Sequence, residues 1–193
     1  MITSEPFSKY EGRRALARRD SPWLYCTARP IDIKSSRDLL IAQELGELLK
    51  EAIFLYDWIG ASSNNLYWNG SETPVRVIVI PNPEHTGMIT LINPTVSYPI
   101  HVPSSVFVSL EACGAFPGKS YEVLRKKEVF VQGYLLQDST LSYVSLHYSL
   151  ADQEKPGTQK STPYVNMSIK SPAIVQHECD HLEGIVLSMR SLS

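Results

Sequence analysis

The feature that most constrains the fold is an H-E-x-x-H pattern near the C-terminus, His177-Glu178-Cys179-Asp180-His181. Two histidines four residues apart lie one turn apart on the same face of a helix. Both can therefore bind one metal ion, with the glutamate near the ion's free position. Helix signals surround the pattern, because Ser171 suits an N-cap, Pro172 a first helical position and Gly184 a helix end. The sequence therefore predicts a metal-binding helix over residues 172–183.

This helix is expected to present its histidines to the protein interior. Ile174, His177, Glu178, His181 and Ile185 share one stripe at helical spacing. Burying polar groups without partners costs several kcal/mol, so the histidines need either a metal or hydrogen bonds. Hydrogen-bonded core histidines without a metal are the alternative interpretation. Cys179 lies about 200° around the helix from His177, which predicts a packing role for it.

A hydrolytic metal site of this kind needs a third protein ligand. In one arrangement a third histidine lies six residues after the second, but position 187 is Leu. In another a downstream glutamate is the third ligand, but no acidic residue follows Glu183, so the third ligand must come from upstream. Cys113 is the first choice, because it follows a predicted strand and precedes a Pro-Gly turn. His85, His101 and His147 are weaker candidates.

The rest of the chain indicates an α+β fold. A helical period predicts a long helix over residues 37–57, with Ser35 and Asp38 as its capping signature. From Val75 onward the period changes to two, which is typical of strands, and residues 151–168 are predicted to form a long surface loop. Without regular βαβ alternation, this order indicates a mainly antiparallel β-sheet around the C-terminal helix, with one long N-terminal helix. The predicted strands cover residues 75–80, 88–92, 106–110, 129–136 and 141–150.

Composition excludes several classes of protein. The 193 residues include 18 Lys and Arg and 20 Asp and Glu, so the net charge of −2 gives no reason to expect nucleic-acid binding. No apolar run approaches the ~18 residues of a membrane span. Three widely spaced cysteines do not suit a disulfide framework, which favours an intracellular reducing compartment.

We expect one domain over residues 1–193, with residues 1–20 as a flexible basic arm. Arginines and a lysine in this segment are interrupted by acidic residues, and no secretory apolar region accompanies them. An organellar presequence is the alternative interpretation. The predicted location is therefore cytoplasmic, mitochondrial or otherwise organellar.

Three motifs together resemble the peptide deformylase family. The third family motif, Q-H-E-x-D-H, is intact as residues 176–181. The second, E-G-C-L-S, stands here as Glu111-Ala112-Cys113-Gly114-Ala115, which keeps the glutamate and the cysteine. The first, G-x-G-L-A-A-x-Q, is recognisable by position as Trp58-Ile59-Gly60-Ala61-Ser62-Ser63-Asn64-Asn65. Residues 91–94 and 123–125 are also similar to the family, so the resemblance covers roughly residues 13–190.

The resemblance implies a divalent metal, Fe2+ or Zn2+, held by Cys113, His177 and His181. Glu178 would act as the general base, and the Gly114 N–H and the Asn65 side chain would stabilise the developing oxyanion. Gln176 and Asp180 would support the ligands, and Glu111 and Arg125 would brace the segment that carries Cys113. The implied substrate is an N-formylmethionyl peptide or nascent protein, and the implied process is N-terminal processing during protein biosynthesis, near the ribosome.

The altered motifs leave the substrate side of this site open. Gly60 matches a family glycine that keeps the site accessible, whereas Trp58 either narrows the substrate entrance or packs at the end of the helix. Ala115 is a further candidate substrate contact. Asn65 is one methylene shorter than the family glutamine, which predicts slow or shifted catalysis. The alternatives are a binding protein that keeps the metal as a structural clamp and a hydrolase of another small N-acyl group.

Overall fold

A computed structural model describes residues 14–17, 19–68, 72–84, 87–99, 105–150, 164–166 and 172–192. The helices are α1 (Ser36–Tyr56), α2 (Pro172–Leu182) and α3 (Leu187–Arg190), with 3-10 turns at Pro22–Tyr25 and Ser63–Asn65. The strands are β1 (Arg14–Leu16), β2 (Ala61–Ser62), β3 (Leu66–Trp68), β4 (Val77–Pro81), β5 (Met88–Ser97), β6 (Val106–Ala112), β7 (Ser120–Lys126), β8 (Glu128–Gln137), β9 (Thr140–Ser149) and β10 (Tyr164–Asn166). In this part of the chain no helix is long and apolar enough to cross a membrane.

The strands form three sheets. Five strands lie in the order β2-β4-β5-β8-β9, with every neighbouring pair antiparallel. A second sheet has the order β10-β6-β7, in which β6 and β7 are antiparallel and β10 is parallel to β6. A third pairs β1 with β3. The α+β class and the mainly antiparallel arrangement are thus confirmed.

The five-stranded sheet lies between the two long helices. Leu45, Leu48 and Leu49 of α1 pack against Val77 and Val79 on one face of β4. On the other face, Ile174 and Leu182 of α2 pack against Ile78 and Ile80. Because both faces of β4 are covered, all five of its residues are buried. This arrangement holds α2 against the sheet at the centre of the protein.

The helix predictions are confirmed closely. The α1 helix begins and ends one residue before the predicted bounds, and the Ser35 hydroxyl accepts the Asp38 N–H at 3.3 Å. The α2 helix begins at Pro172, as predicted, and Gly184 follows it with a φ of +71°. The proposed cap at Ser171 lies outside the described residues.

Several sequence predictions were incomplete or wrong. Strand β7 was not predicted, although it pairs with β6 along its whole length. The basic arm over residues 1–20 is wrong for its last part, because Arg14–Leu16 pairs with β3 and Ala17 is buried. The surface loop is wrong for Tyr164–Asn166, which pairs with β6. The pairing partners of β1 and β10 are distant in sequence, whereas β7 pairs with the preceding strand β6. Residues 1–13 and 151–163 lie outside the described residues.

Candidate metal centre and active site

Three candidate ligands from two distant segments meet in the interior. His177 and His181 lie one turn apart on α2, and Cys113 directly follows β6. His181 Nε2 lies 3.1 Å from His177 Nε2 and 3.3 Å from Cys113 Sγ. The three ligand atoms lie within 4.8 Å of one another, and all three residues are buried. The structure therefore brings together the three residues that the sequence predicted as ligands.

These donors suit a divalent metal. Such separations are expected of atoms that share one ion through bonds of about 2.0–2.3 Å. Thiolate and imidazole are ligands that both zinc and ferrous iron accept. Burial is the main cause, and the electrostatic effect of the nearby His177 the second, that lowers the pKa of His181 well below its ordinary value. A lowered pKa favours the neutral imidazole that a metal requires. The residues present thus fit a divalent ion.

A buried ion pair orients His177. Its Nδ1 lies 3.0 Å from Glu111 Oε2, which directs Nε2 toward the other two ligands. Arg125 donates from Nε to Glu111 Oε1 at 2.7 Å and from Nη2 to Oε2 at 2.8 Å. Burial alone would raise the pKa of Glu111, but the hydrogen bonds from Arg125 and His177 hold it at about 2. The pair predicted to brace the Cys113 segment therefore makes direct contact and also reaches a ligand.

The two other predicted supports hold α2 in place. Arg125 Nη1 donates to Asp180 Oδ2 at 2.5 Å, and Arg190 Nη2 donates to Asp180 Oδ1 at 2.8 Å. Gln176 Nε2 donates to the Lys126 carbonyl at 3.0 Å, while its Oε1 accepts the Lys126 N–H at 3.1 Å. Both contacts join the ligand-bearing helix to the strand that carries Arg125.

Glu178 is buried beside the candidate ligands. It is 3% exposed and borders the same cavity as His177. Burial raises the pKa of Glu178 to about 7, so it can both accept and release a proton near neutral pH. A Cβ on Gly60 would lie 3.1 Å from Glu178 Oε1 and 2.9 Å from Ile174 Cγ2. Gly60 therefore lets its loop approach α2 closely beside this carboxyl group.

A cavity of about 490 Å³ is lined by two of the three candidate ligands, Cys113 and His177, and by Glu178. The cavity wall beside Cys113 is formed by Gly114 and Trp58. The Trp58 ring lies 5.3 Å from that of Tyr56, centroid to centroid, and also packs against the α1 side of the core. Trp58 therefore lines the cavity and also packs at the end of α1. The lining residues are Leu16, Tyr56, Asp57, Trp58, Ile59, Gly60, Asn65, Leu110, Ala112, Cys113, Gly114, Pro117, His177 and Glu178.

Asn65 reaches the cavity in a defined orientation. Its Oδ1 accepts the Ser62 N–H at 2.8 Å and the Ser62 hydroxyl at 2.9 Å. Two donors on the oxygen fix the amide plane, which leaves the NH₂ group as the part that can donate elsewhere. The Trp23 indole N–H and the Asn64 side chain tie this turn to residues 22–26.

Some predicted residues lie elsewhere. Ala115 is not among the residues that line the cavity, and its side chain lies in a buried cluster that also contains Trp23, Phe116 and Cys113. His147, on β9, lies with its Nε2 2.8 Å from Glu128 Oε1 and stacks on Phe130. It is not part of the group formed by the three candidate ligands. His85 and His101 lie outside the described residues. Cys179 packs against the α2 side of the sheet, and burial raises its pKa to about 12.

Sequence reasoning missed part of the cavity wall. Leu16 lines the cavity because β1 pairs with β3. Leu110 lines it because side chains alternate between the two faces of β6. In the sequence Ser62 stood only as a motif position without a role, whereas in the structure its hydroxyl orients Asn65. The replacement of alanine by serine beside the shortened amide was the available signal for Ser62. No sequence pattern pointed to Leu16.

Comparison with known proteins gives a match in structure. No family model and no curated protein matches the sequence. Arabidopsis thaliana peptide deformylase 1B matches with a TM-score of 0.65 at 23% identity, covering 92% of this chain and 81% of the plant chain. Thermotoga maritima peptide deformylase matches with a TM-score of 0.65 at 20% identity, covering 92% and 97%. A class I type b peptide deformylase from Acinetobacter baumannii, bound to Met-Ala-Ser, has a TM-score of 0.65 at 21% identity over 98% and 99%.

The chain therefore has the peptide deformylase fold. The match extends over nearly the whole of the two bacterial chains. Identities of 20–23% make it a divergent, deformylase-like protein.

Proposed function

We propose that this protein is a metal-dependent hydrolase that removes the N-formyl group from N-formylmethionyl peptides and nascent proteins. One observation carries the proposal: the buried Cys-His-His group lies beside a buried glutamate, and Cys113, His177 and Glu178 line the same cavity. The peptide deformylase fold supports the same reaction class.

Cys113, His177 and His181 would hold one divalent ion, Fe2+ or Zn2+. A bound ion would polarise the formyl carbonyl and lower the pKa of a bound water to about 7. Among the described residues, no fourth His, Cys or carboxylate joins the group of three. Three protein ligands are typical of catalytic sites, whereas structural sites are usually closed by four. This feature favours an enzyme over a protein that uses the metal as a clamp.

Glu178 would move the proton during hydrolysis. It accepts a proton as water attacks the formyl carbon, and it donates that proton to the amine nitrogen as the C–N bond breaks. The products are formate and a peptide with a free N-terminus. A carboxyl group with a pKa of about 7 can perform both transfers at neutral pH.

The carbonyl oxygen would be stabilised by the Gly114 N–H and the Asn65 NH₂ group. Ser62 fixes the Asn65 oxygen through two hydrogen bonds, so the shortened amide is held by a partner rather than left to rotate. Preorganised donors of this kind contribute about 10²–10³-fold in rate.

The substrate is proposed from the cavity and from the bound peptide of a structural neighbour. The Acinetobacter baumannii deformylase binds Met-Ala-Ser, a peptide that begins with methionine. The cavity here has apolar walls, including Leu16, Tyr56 and Leu110, that suit such a side chain. The smaller residue at position 114 does not widen the pocket for a larger acyl group, because Trp58 covers it. The structure therefore favours formyl over larger acyl substrates.

The test is formate release from formyl-Met-Ala-Ser under anaerobic conditions, with the protein loaded separately with Fe2+ or Zn2+. Glu178→Gln should lower kcat about 10²–10⁴-fold, since general base catalysis contributes that much. Glu47→Gln is the matched control, because Glu47 is exposed on α1 and its change should leave kcat unaltered. Formate release no faster in the wild type than in Glu178→Gln would refute the proposal. Acetyl-Met-Ala-Ser in the same assay separates a formyl hydrolase from a broader acyl hydrolase.

A further inference from the structure

Trp58 and Gly114 make an unusually close contact across the cavity wall. A Cβ built on Gly114 would lie 2.1 Å from Trp58 Cζ2, 2.5 Å from Cε2 and 2.9 Å from Nε1. No side chain fits at such distances unless the indole moves. The indole therefore occupies the space that a side chain at position 114 would need.

This contact accounts for two departures from the deformylase motifs at once. The first motif has glycine at the position of Trp58, and the second has leucine at the position of Gly114. Here the large residue stands where the motif has a small one, and the small residue where it has a large one. Either change alone would create a cavity or a collision, whereas the two together keep the wall filled. The exchange thus rebuilds the wall with a flat aromatic surface from another segment.

The indole stands beside the proposed reaction centre. Gly114 directly follows the ligand Cys113, and both line the cavity with His177 and Trp58. The Cα of a formylated residue lies two bonds, about 2.4 Å, from the formyl carbon. A wall at this position therefore borders the first side chain of the peptide before it borders any later one. The ring of Tyr56, with its centroid 5.3 Å from that of Trp58, extends the apolar surface.

We propose that Trp58 is a specificity-determining residue whose indole packs against the first side chain of the substrate, and that Gly114 provides the space that the indole needs. This inference rests on the proposed function, because it assigns a role within the same site.

The experiment compares peptides that differ in the first side chain. Binding of Met-Ala-Ser and Gly-Ala-Ser is measured by calorimetry on zinc-loaded protein, and kcat/KM is measured for their formylated forms. In the wild type the methionine peptide should be favoured. Trp58→Gly should reduce that preference about tenfold or more, because apolar contacts with a substrate side chain discriminate by about 10–200-fold. Trp58→Phe should retain part of it, and Phe54→Ala, at an exposed aromatic on α1, is the control.

The exchange itself is tested by thermal unfolding. Gly114→Leu should lower Tm because the leucine displaces the indole, and adding Trp58→Gly should recover most of that loss and restore the methionine preference. The double variant keeps the test available if Gly114→Leu alone does not fold. Equal destabilisation by Gly114→Leu in both backgrounds would overturn the proposed coupling.

The outcomes separate this inference from the proposed function. If Trp58→Gly weakens both peptides equally and leaves the preference unchanged, Trp58 is merely structural and the inference fails, even where formate is released. If the wild type releases no formate yet prefers Met-Ala-Ser in a manner that depends on Trp58, the proposed function fails and the inference stands. Absence of any preference in the wild type overturns the inference.

Discussion

Replacing Arg125 with methionine tests the buried charge network behind the candidate metal centre. Arg125 is 4% exposed and makes two hydrogen bonds to Glu111, which is fully buried. Methionine keeps most of the apolar volume but removes the charge. Glu111 would then retain His177 as its remaining partner in the network described here. The variant leaves the buried Glu111 without its arginine partner and removes one of the two arginines that bind Asp180.

Arg125→Met should lower the free energy of unfolding by about 3–5 kcal/mol, since removal of one partner from a buried ion pair typically destabilises a protein by that much. The pKa of Glu111 gives a similar figure. Its ordinary value is 4.5 and its value in the structure is about 2, although burial alone would raise it, so the network favours the ionised form by a net amount on the order of a few kcal/mol. For a chain of this length Tm should fall by about 10 °C.

Urea unfolding followed by tryptophan fluorescence measures the effect, with equal metal content in both proteins. Arg190→Met is the matched control, because Arg190 also binds Asp180 but is 46% exposed. The control should cost less than about 1 kcal/mol, as surface ion pairs contribute little.

The loss of stability in Arg125→Met should depend on pH in a defined direction. The folded-state pKa of Glu111 lies below its unfolded value, so its ion pair stabilises the fold above pH 4.5 and loses that contribution as pH falls from 4.5 through about 2. The difference between the wild type and Arg125→Met should therefore be largest near pH 7 and shrink below pH 4.5. Equal costs for Arg125→Met and Arg190→Met, or a difference that does not change with pH, would refute the reasoning.

Two further predictions concern the site directly. Cys113→Ser should lower metal affinity more than 100-fold, because a hydroxyl does not ionise as a thiol does, and metal analysis of the purified variant checks this; an unchanged metal content would exclude Cys113 as a ligand. Ser62→Ala removes the hydroxyl that holds Asn65 Oδ1 at 2.9 Å, so kcat should fall about tenfold with little change in KM, and Ser62→Thr should restore most of it. An equal loss in Ser62→Thr would contradict the positioning role.

The helices could be predicted from the sequence because their signals are local. The cap at Ser35, the proline at 172 and the glycine at 184 each act within one or two turns. Short strands were harder to predict, because β1 and β10 depend on pairing with strands that are distant in the sequence. Arg14–Leu16 has no apolar alternation, and pairing with Leu66–Trp68 makes it a strand.

The sequence by itself determined the chemistry available to the α2 helix. Helical geometry places His177 and His181 one turn apart in any fold that keeps the helix, and Glu178 accompanies them. The third motif therefore identified the candidate ligands and base without a tertiary structure. The resemblance of the second motif to the deformylase family also indicated Cys113 as a ligand.

Tertiary structure decided what surrounds that helix. The pairing of β6 with β7 puts Glu111 and Arg125 on the same face of the sheet, where the arginine side chain reaches Glu111 and Glu111 contacts His177. The contact between Trp58 and Gly114 joins residues 56 positions apart, so two substitutions that look like motif decay in the sequence become one packed wall in the fold. Ala115 shows the reverse, since its motif position suggested a substrate contact, whereas its side chain lies in a buried cluster with Trp23 and does not line the cavity. Local spacing determines which groups share a helix face, whereas long-range packing determines which other segments meet that face.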